Sequence, residues 1–234
     1  MSDSVKQSVL VVGVGGLGAP ALMTLARGGA KLALVDADPV ELSNLPRQII
    51  YRDADRGQPK VAAAARWLAA NAPGVEVVTH RLMLDSANAH ALIAAATFVI
   101  DAVDNPTTKF LINDVCIETG TPFAYGGVLG MTGQTMTVVP GRTACLRCLF
   151  EEPPDADESA SCRDAGIIGP VAGAIGITQA AEALRWLRGE ALELAGQMLT
   201  YDGRRGRIRV TEIGRRPGCR CDWRAPDGAR VLGS

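Results

Sequence analysis

The chain has 234 residues, 47% of them apolar and 4% aromatic, with 24 basic side chains against 25 acidic ones. That length allows one large α/β domain or two small ones, and the apolar content excludes a disordered chain. No basic stripe with interleaved aromatics points to nucleic acid, and no apolar run approaches the roughly 20 residues that a membrane-spanning helix needs.

Met1 to Gln7 is too short and too polar for a signal peptide, so the expected compartment is the cytoplasm. Residues 9–12 are a continuous apolar run and predict a strand, and 19–28 predicts a helix stopped by Gly28 and Gly29. A second strand is expected over 32–35. The Ala-rich stretch 59–70, with Pro59 in its first turn, predicts a strong helix. Strands over 75–79 and 97–102, a helix over 106–118 and a strand over 121–125 follow. Strands alternating with helices imply a parallel sheet with right-handed crossovers.

After Gly126 the pattern changes. Residues 133–139, 198–201 and 207–212 predict antiparallel strands, and 170–188 predicts one long helix that contains Gly173, Ala174 and Gly176. The acidic, proline-containing stretch 151–161 predicts a mobile surface loop, and the tail after Trp223 a frayed end. The expected class is α/β and Rossmann-like, with a parallel N-terminal sheet half extended by antiparallel strands.

The run V-L-V-V-G-V-G-G-L-G is a strand that opens into a helix, and Gly13, Gly15 and Gly18 fit G-x-G-x-x-G. Glycines let backbone N–H groups approach phosphate oxygens, and the helix N-terminus adds partial positive charge. Asp36 ends the next strand, where a carboxylate can bind ribose hydroxyls. A glycine turn needed only for strand–helix packing would look the same. Arg47 and Lys60, however, are cations on separate elements and suit the extra charge of a triphosphate. Asp104 follows the C-terminal end of a strand, where ligands bind in open sheets, and a carboxylate there is a natural Mg²⁺ ligand. Together these are parts of an ATP–Mg²⁺ site, more than NAD requires. Taken singly, each charge could be a solvated surface group.

In order, G-x-G-G-x-G (Gly13, Gly15, Gly16, Gly18), D-x-D (Asp36, Asp38), S-N-L-x-R-Q, G-Q-P-K, D-x-x-D-N and C-x-x-C resemble the ThiF/MoeB/HesA family, relatives of the ubiquitin-activating enzymes. The resemblance runs from Val9 to about Asp222. It implies that Gly15, Asp36, Ser43, Asn44, Arg47, Lys60, Asp104 and Asn105 contact ATP or its Mg²⁺. Arg47 and Lys60 would hold the phosphates, and Asp104 would bind Mg²⁺ and stabilise departing pyrophosphate. The implied substrate is a small ubiquitin-like sulfur-carrier protein ending in Gly-Gly, whose terminal carboxylate attacks the α-phosphorus. That nucleophile is already ionised and needs no general base, which agrees with two histidines, His80 and His90, that sit in no motif. The expected organisation is a single adenylation domain over 1–234, with a nucleotide-binding half at 1–127, a carrier and zinc half at 128–223 and a tail at 224–234.

Of six cysteines, Cys145/Cys148 and Cys219/Cys221 form close pairs. Four thiolates suit a tetrahedral structural Zn²⁺, with free buried thiols as the alternative. The family carries a structural zinc on two C-x-x-C pairs, whereas the second pair here is C-x-C. Cys162, in S-C-R-D-A-G, matches a position that in some members accepts the carrier covalently; Arg163 would lower its pKa and Asp164 would oppose that. An inert loop thiol is the other reading. Cys116 is expected in the core.

Many relatives are homodimers in which an Arg-bearing helix ahead of the first strand reaches the partner's ATP site. Only Met1 to Ser8 precede that strand here, with Lys6 the sole cation, so the trans-acting arginine is expected to be absent. No rhodanese-like domain follows Asp222, so a separate sulfur donor is expected. Competing functions are an NAD-dependent oxidoreductase, a catalytically silent binding module, and a family member that activates a peptide or tRNA-linked carboxylate.

Overall fold

Val9 and Val11 of strand β1 (Ser8–Val12) face one hydrophobic cluster, and Leu10 and Val12 face another. A strand covered on both faces reads as a continuous apolar run, which is why its sequence does not alternate. The computed structural model describes residues 8–153 and 166–222. After β1 come α1 (Gly18–Arg27), β2 (Lys31–Val35), α2 (Lys60–Asn71), β3 (Val77–His80), α3 (Ala89–Ala94), β4 (Phe98–Asp101), α4 (Pro106–Thr119) and β5 (Phe123–Leu129). Then follow β6 (Thr132–Val138), α5 (Leu146–Leu149), α6 (Gly169–Leu187), β7 (Gln197–Asp202) and β8 (Arg207–Glu212).

All eight strands form one sheet in the order β3-β2-β1-β4-β5-β6-β7-β8. Pairing is parallel from β3 through β5 and antiparallel from β5 to β8. Helices α1, α2 and α6 cover one face through Leu22, Leu25, Leu68, Ile175 and Ala180. Helices α3 and α4 cover the other through Ile93, Phe110 and Ile112. Residues 127 and 128 are consecutive in β5, so the sheet runs on without a break there.

Several boundaries differ from expectation. The strand expected over 121–125 begins at Phe123, because Thr121 turns its hydroxyl onto the Ile93 carbonyl (3.4 Å) and Pro122 has no N–H to give. It also runs on to Leu129, since antiparallel pairing with β6 continues as far as Leu129↔Thr132. The strand expected over 75–79 lies at Val77–His80, where Leu32↔Val77 sets the register. Helix α3 was not expected. Its entry turn is closed by Asp85, whose Oδ1 accepts from the N–H groups of Ala87 (2.9 Å) and Asn88 (3.2 Å). The single turn α5 between two cysteines was also not expected.

Gly176 decides how α6 meets α1. A side-chain carbon there would lie 2.2 Å from the Leu17 carbonyl oxygen, so glycine lets the long helix seat on the entry to α1. At Gly173 nothing lies within 4 Å of such a carbon. Among the described residues, no helix is long and apolar enough to cross a membrane. The stretch expected as a loop at 151–161 falls largely outside the described residues, as do Lys6, Cys162, Arg163, Asp164 and the tail after Trp223.

Candidate functional site

The glycine loop leaves β1 with Gly13 at φ 88°, a conformation that favours glycine. Its N–H donates to Val35 O at 2.8 Å, and an added carbon would press to 2.7 Å from Ala102 O. Gly18 opens α1, and a carbon there would meet Gly13 O at 2.0 Å. Packing therefore demands glycine at 13 and 18. Gly15 and Gly16 differ: an added carbon would meet nothing nearer than Gln48 Nε2 and Ala172 Cβ, each at 3.5 Å. Their bareness is not needed by the protein itself and leaves backbone open to a ligand, so the loop fits a phosphate chain.

Asp36 follows β2 and braces this loop. Its Oδ2 accepts from Val14 N–H at 2.8 Å, and its Oδ1 from Asp38 N–H at 2.9 Å. Burial pushes the carboxyl above the usual carboxylate value, with Lys60 opposing the shift. Lys60 opens α2 with its side chain 8% exposed, and its Nζ lies 2.9 Å from Asp38 Oδ2 and 3.9 Å from Asp36 Oδ1. Tyr51 closes the cluster by donating its hydroxyl to Val14 O at 2.8 Å.

The segment 41–48 forms a second wall. Asn44, 7% exposed, accepts from Glu41 N–H at 3.2 Å and donates to Ser43 Oγ at 3.3 Å, which shapes the short turn Leu42–Asn44. Ser43 is exposed and donates its hydroxyl to Glu41 Oε2 at 3.3 Å. Arg47 donates to Ser43 O at 2.8 Å, with its aliphatic stem against Gly16. Gln48 is 3% exposed beside Gly15, and its Oε1 is a buried acceptor with no partner among the described residues. Gln48 is the last residue of the S-N-L-x-R-Q motif, which by itself gives it no role. The signal was its place directly after Arg47.

Asp104 and Asn105 are exposed on the turn that leaves β4. Asn105 caps α4, its Oδ1 accepting Thr108 N–H at 3.3 Å, with Pro106 at the first helical position. The turn abuts the glycine loop, because the Ala102 carbonyl packs under Gly13 and Ala102 N–H bonds to Val12 O. The structure thus gathers Asp36, Asp38 and Lys60 by direct contacts under the glycine loop, sets Arg47 against Gly16 with Ser43 O as its acceptor, and brings the Asp104 turn to the same strand ends.

The four paired cysteines converge at the far end of α4. Their Sγ atoms all lie within 4.8 Å of one another, with Cys145–Cys219 at 3.7 Å and Cys148–Cys221 at 3.3 Å. A tetrahedral ion with Zn–S bonds near 2.3 Å places sulfurs about 3.8 Å apart, so the donor set fits Zn²⁺. The one-residue spacing of Cys219 and Cys221 is accommodated by the short turn Arg220–Asp222. Supporting contacts fix both pairs. Asn113 Oδ1 accepts Leu146 N–H at 2.8 Å, Arg147 grips Asp114 through bonds of 2.7 and 2.8 Å, and Arg215 donates to Cys221 O at 2.6 Å. Burial and the neighbouring thiols push Cys145 far up, and burial lifts Cys221 to about 11. For Cys148, burial is outweighed by N–H donors led by Arg216, and its thiol lies below the usual value. Cys116 is wholly buried, as a core thiol should be.

The model of the ThiF family matches residues 2–221. The chain belongs to the ThiF family. This ThiF-family chain is 42% identical over 195 residues to the SAMP-activating enzyme E1 of Haloferax volcanii, covering 83% of the chain and 72% of that protein. It is 40% identical over 216 residues to adenylyltransferase and sulfurtransferase MOCS3-2 of Zea mays, covering 92% of the chain and 45% of that protein. With MOCS3 of Anopheles gambiae the identity is 38% over 230 residues, or 97% of the chain and 52% of that protein. The chain thus spans about half the length of these MOCS3 relatives. Escherichia coli MccB, crystallised with ATP, shares the fold at a TM-score of 0.81 and 21% identity, over 94% of this chain and 68% of that one.

Proposed function

We propose that this chain uses ATP to adenylate the C-terminal glycine carboxylate of a small ubiquitin-like sulfur-carrier protein, releasing pyrophosphate. The observation that carries the reading is the seating of the Asp104 turn against the glycine loop, where Gly13 packs on Ala102 O, with Lys60 and Arg47 flanking the same loop. A dinucleotide needs the loop and the ribose-binding carboxylate only. Two cations and an exposed carboxylate suit a triphosphate and its metal. Relatives named as a SAMP-activating E1 and as adenylyltransferase and sulfurtransferase support a carrier as the acceptor.

In the proposed reaction a carboxylate oxygen of the carrier's terminal glycine forms a bond to the α-phosphorus. The bond from that phosphorus to the bridging oxygen of the β-phosphate breaks, and pyrophosphate leaves with that oxygen. The nucleophile arrives ionised, so positioning and charge stabilisation supply the acceleration. The open N–H groups around Gly15 and Gly16, with the start of α1, would hold phosphate oxygens. Asp36 would meet the ribose, with Ser43 and Asn44 beside the nucleotide. Arg47 and Lys60 would hold the phosphate charge, Lys60 exchanging its partner Asp38, which is 64% exposed, for the ligand. Asp104 would hold Mg²⁺, which when bound neutralises charge on departing pyrophosphate, and Asn105 would contact ATP or that ion. Cys145, Cys148, Cys219 and Cys221 would hold a structural Zn²⁺. Cys162 would accept the carrier as a thioester, its thiolate attacking the acyl carbon of the adenylate as the bond to AMP breaks and AMP leaves. We place the enzyme in the cytoplasm as a homodimer.

The test is ATP–pyrophosphate exchange. It should appear only when a carrier ending in Gly-Gly is added. Exchange without a carrier, or none with the cognate carrier, overturns the assignment.

A further inference from the structure

Asp101 ends β4 three residues before Asp104, and both its carboxylate and its carbonyl are engaged. The carboxylate is wholly buried. Lys109, the fourth residue of α4, donates to Asp101 Oδ1 at 3.1 Å and Oδ2 at 3.2 Å, and also to the Gly126 carbonyl. Its ammonium lies 5.0 Å from the centre of the Tyr125 ring. Asp101 Oδ1 also accepts from Val103 N–H at 3.3 Å, inside the turn that leads to Asp104. From the opposite face of the sheet, Gln179 of α6 donates Nε2 to Asp101 O at 2.8 Å and to Ala124 O at 2.9 Å. Gly126 makes room for this, because a side-chain carbon there would lie 2.6 Å from the Gln179 amide.

The clamp sits where the sheet changes character. Parallel pairing of β4 with β5 stops at Asp101↔Tyr125, while β5 runs on to Leu129 beside β6. Beyond Asp101 the Asp104 turn has left the ladder. An isolated buried ion pair is a poor source of stability, since apolar side chains of the same volume hold a fold as well or better. What such a pair does supply is a fixed geometry, and this one is tied to the first residue of that turn.

We propose that Lys109 and Gln179 are positioning residues for the adenylation reaction. Acting through Asp101 from opposite faces of the sheet, they fix the turn that presents Asp104. The inference rests on the role given to Asp104 above. Neither side chain is assigned a contact with a substrate, so each acts only through where it places that carboxylate.

The test is Lys109→Met and Gln179→Leu in the full chain, read in four ways. Exchange turnover at saturating carrier should fall on the order of 100-fold in Lys109→Met, the scale of a misplaced catalytic group. The Mg²⁺ concentration for half-maximal rate should rise, and the KM for carrier should hold. Gln179→Leu should move the same readouts in the same direction by a smaller factor. Lys109→Arg, which keeps the charge and the donors, should recover most of the lost rate. If Lys109→Met does not fold, D101N/K109M removes the pair without stranding a buried charge and should show the same Mg²⁺ shift. The fourth readout does not depend on activity. Hydrogen exchange at the Val103 amide should speed up in Lys109→Met, and unchanged exchange overturns the clamp. Wild-type Mg²⁺ dependence and turnover in these variants overturn the positioning role. A wild-type chain silent in pyrophosphate exchange counts against the function proposed above, and the amide measurement still decides the clamp.

Discussion

Lys60 and Asp38 are bound to each other twice: Lys60 Nζ lies 2.9 Å from Asp38 Oδ2, and Lys60 N–H donates to Asp38 O at 2.9 Å. The ammonium also faces the buried Asp36 carboxylate at 3.9 Å. Under the function proposed above it would have two jobs, as the cation offered to phosphate and as the counter-charge that lets Asp36 brace Val14. Lys60→Met should raise the ATP concentration for half-saturation on the order of 10- to 100-fold, as loss of a charge-assisted contact does. It should also destabilise the fold in a pH-dependent way. The Asp36 carboxyl is already raised by burial, and removing Lys60 raises it further. A raised carboxyl favours the protonated fold, so its contribution is intact in acid and lost as pH climbs through the folded value. Melting temperatures of wild type and Lys60→Met should converge in acid and diverge towards neutrality. A constant gap across that range would show that Asp36 does not depend on Lys60.

Asp104→Ala should remove adenylation and leave the fold alone. The side chain is exposed, and among the described residues its carboxylate has no part in holding the turn. Loss of one group that stabilises developing phosphate charge typically costs on the order of 100-fold or more in turnover. Steady-state exchange together with a thermal melt checks both halves of the statement. Near-normal turnover would move the metal to another carboxylate.

Much of this arrangement is legible before folding. The continuous run of β1, the glycines after it and the Ala-rich α2 mark a nucleotide-binding α/β sheet, because buried parallel strands and phosphate turns have few other sequences. The cysteine pairs mark a set of four thiols that could hold a metal, although the fit of a C-x-C pair depends on the Arg220–Asp222 turn that no pattern announces. Lys109, Gln179 and Gly126 were not legible. They come from α4, α6 and β5 and meet only because the parallel sheet ends at Asp101. Gln48 was visible in its motif, but its unpartnered buried oxygen is a fact of packing. The six-residue helix α3 was missed because its entry depends on the Asp85 side chain and its length is too short for a period to show.

Gly173 and Gly176 of α6 should respond to alanine in opposite directions. At Gly176 the added carbon meets backbone, 2.2 Å from Leu17 O, so α6 must lift from the entry of α1. A cost of about 1–3 kcal/mol is expected, with weaker ATP binding because that entry shapes the glycine loop. At Gly173 the carbon enters open space, and Gly173→Ala should stabilise the helix by about 0.5–1 kcal/mol. Chemical denaturation of both variants gives the signs directly. Light scattering of Gly173→Ala adds a test of the proposed homodimer. If a second copy packs on this face, the gain is replaced by a loss of dimer mass.

Zinc loading should release protons, and the thiols say in which direction pH acts. In the metal-free cluster, burial and mutual crowding raise Cys145 well above the ordinary thiol and burial brings Cys221 to about 11. Both are therefore protonated at neutral pH, and both must ionise to bind Zn²⁺. Binding at neutral pH should release at least two protons per ion, so affinity should fall by roughly 100-fold for each unit of acidification. Calorimetry in two buffers of different ionisation enthalpy counts the protons, and competition with a chromogenic chelator at several pH values gives the slope. The fold should follow the metal. The Cys145–Cys148 turn is fastened to α4 by Arg147 on Asp114 and by Leu146 N–H on Asn113, so removing zinc should loosen the C-terminal half of that helix before its Asn105 cap. Cys145→Ser should reproduce the loosening without chelator. A pH-independent affinity, or protein that emerges zinc-free from a zinc-supplemented preparation, would leave these four residues as buried thiols with no metal to hold.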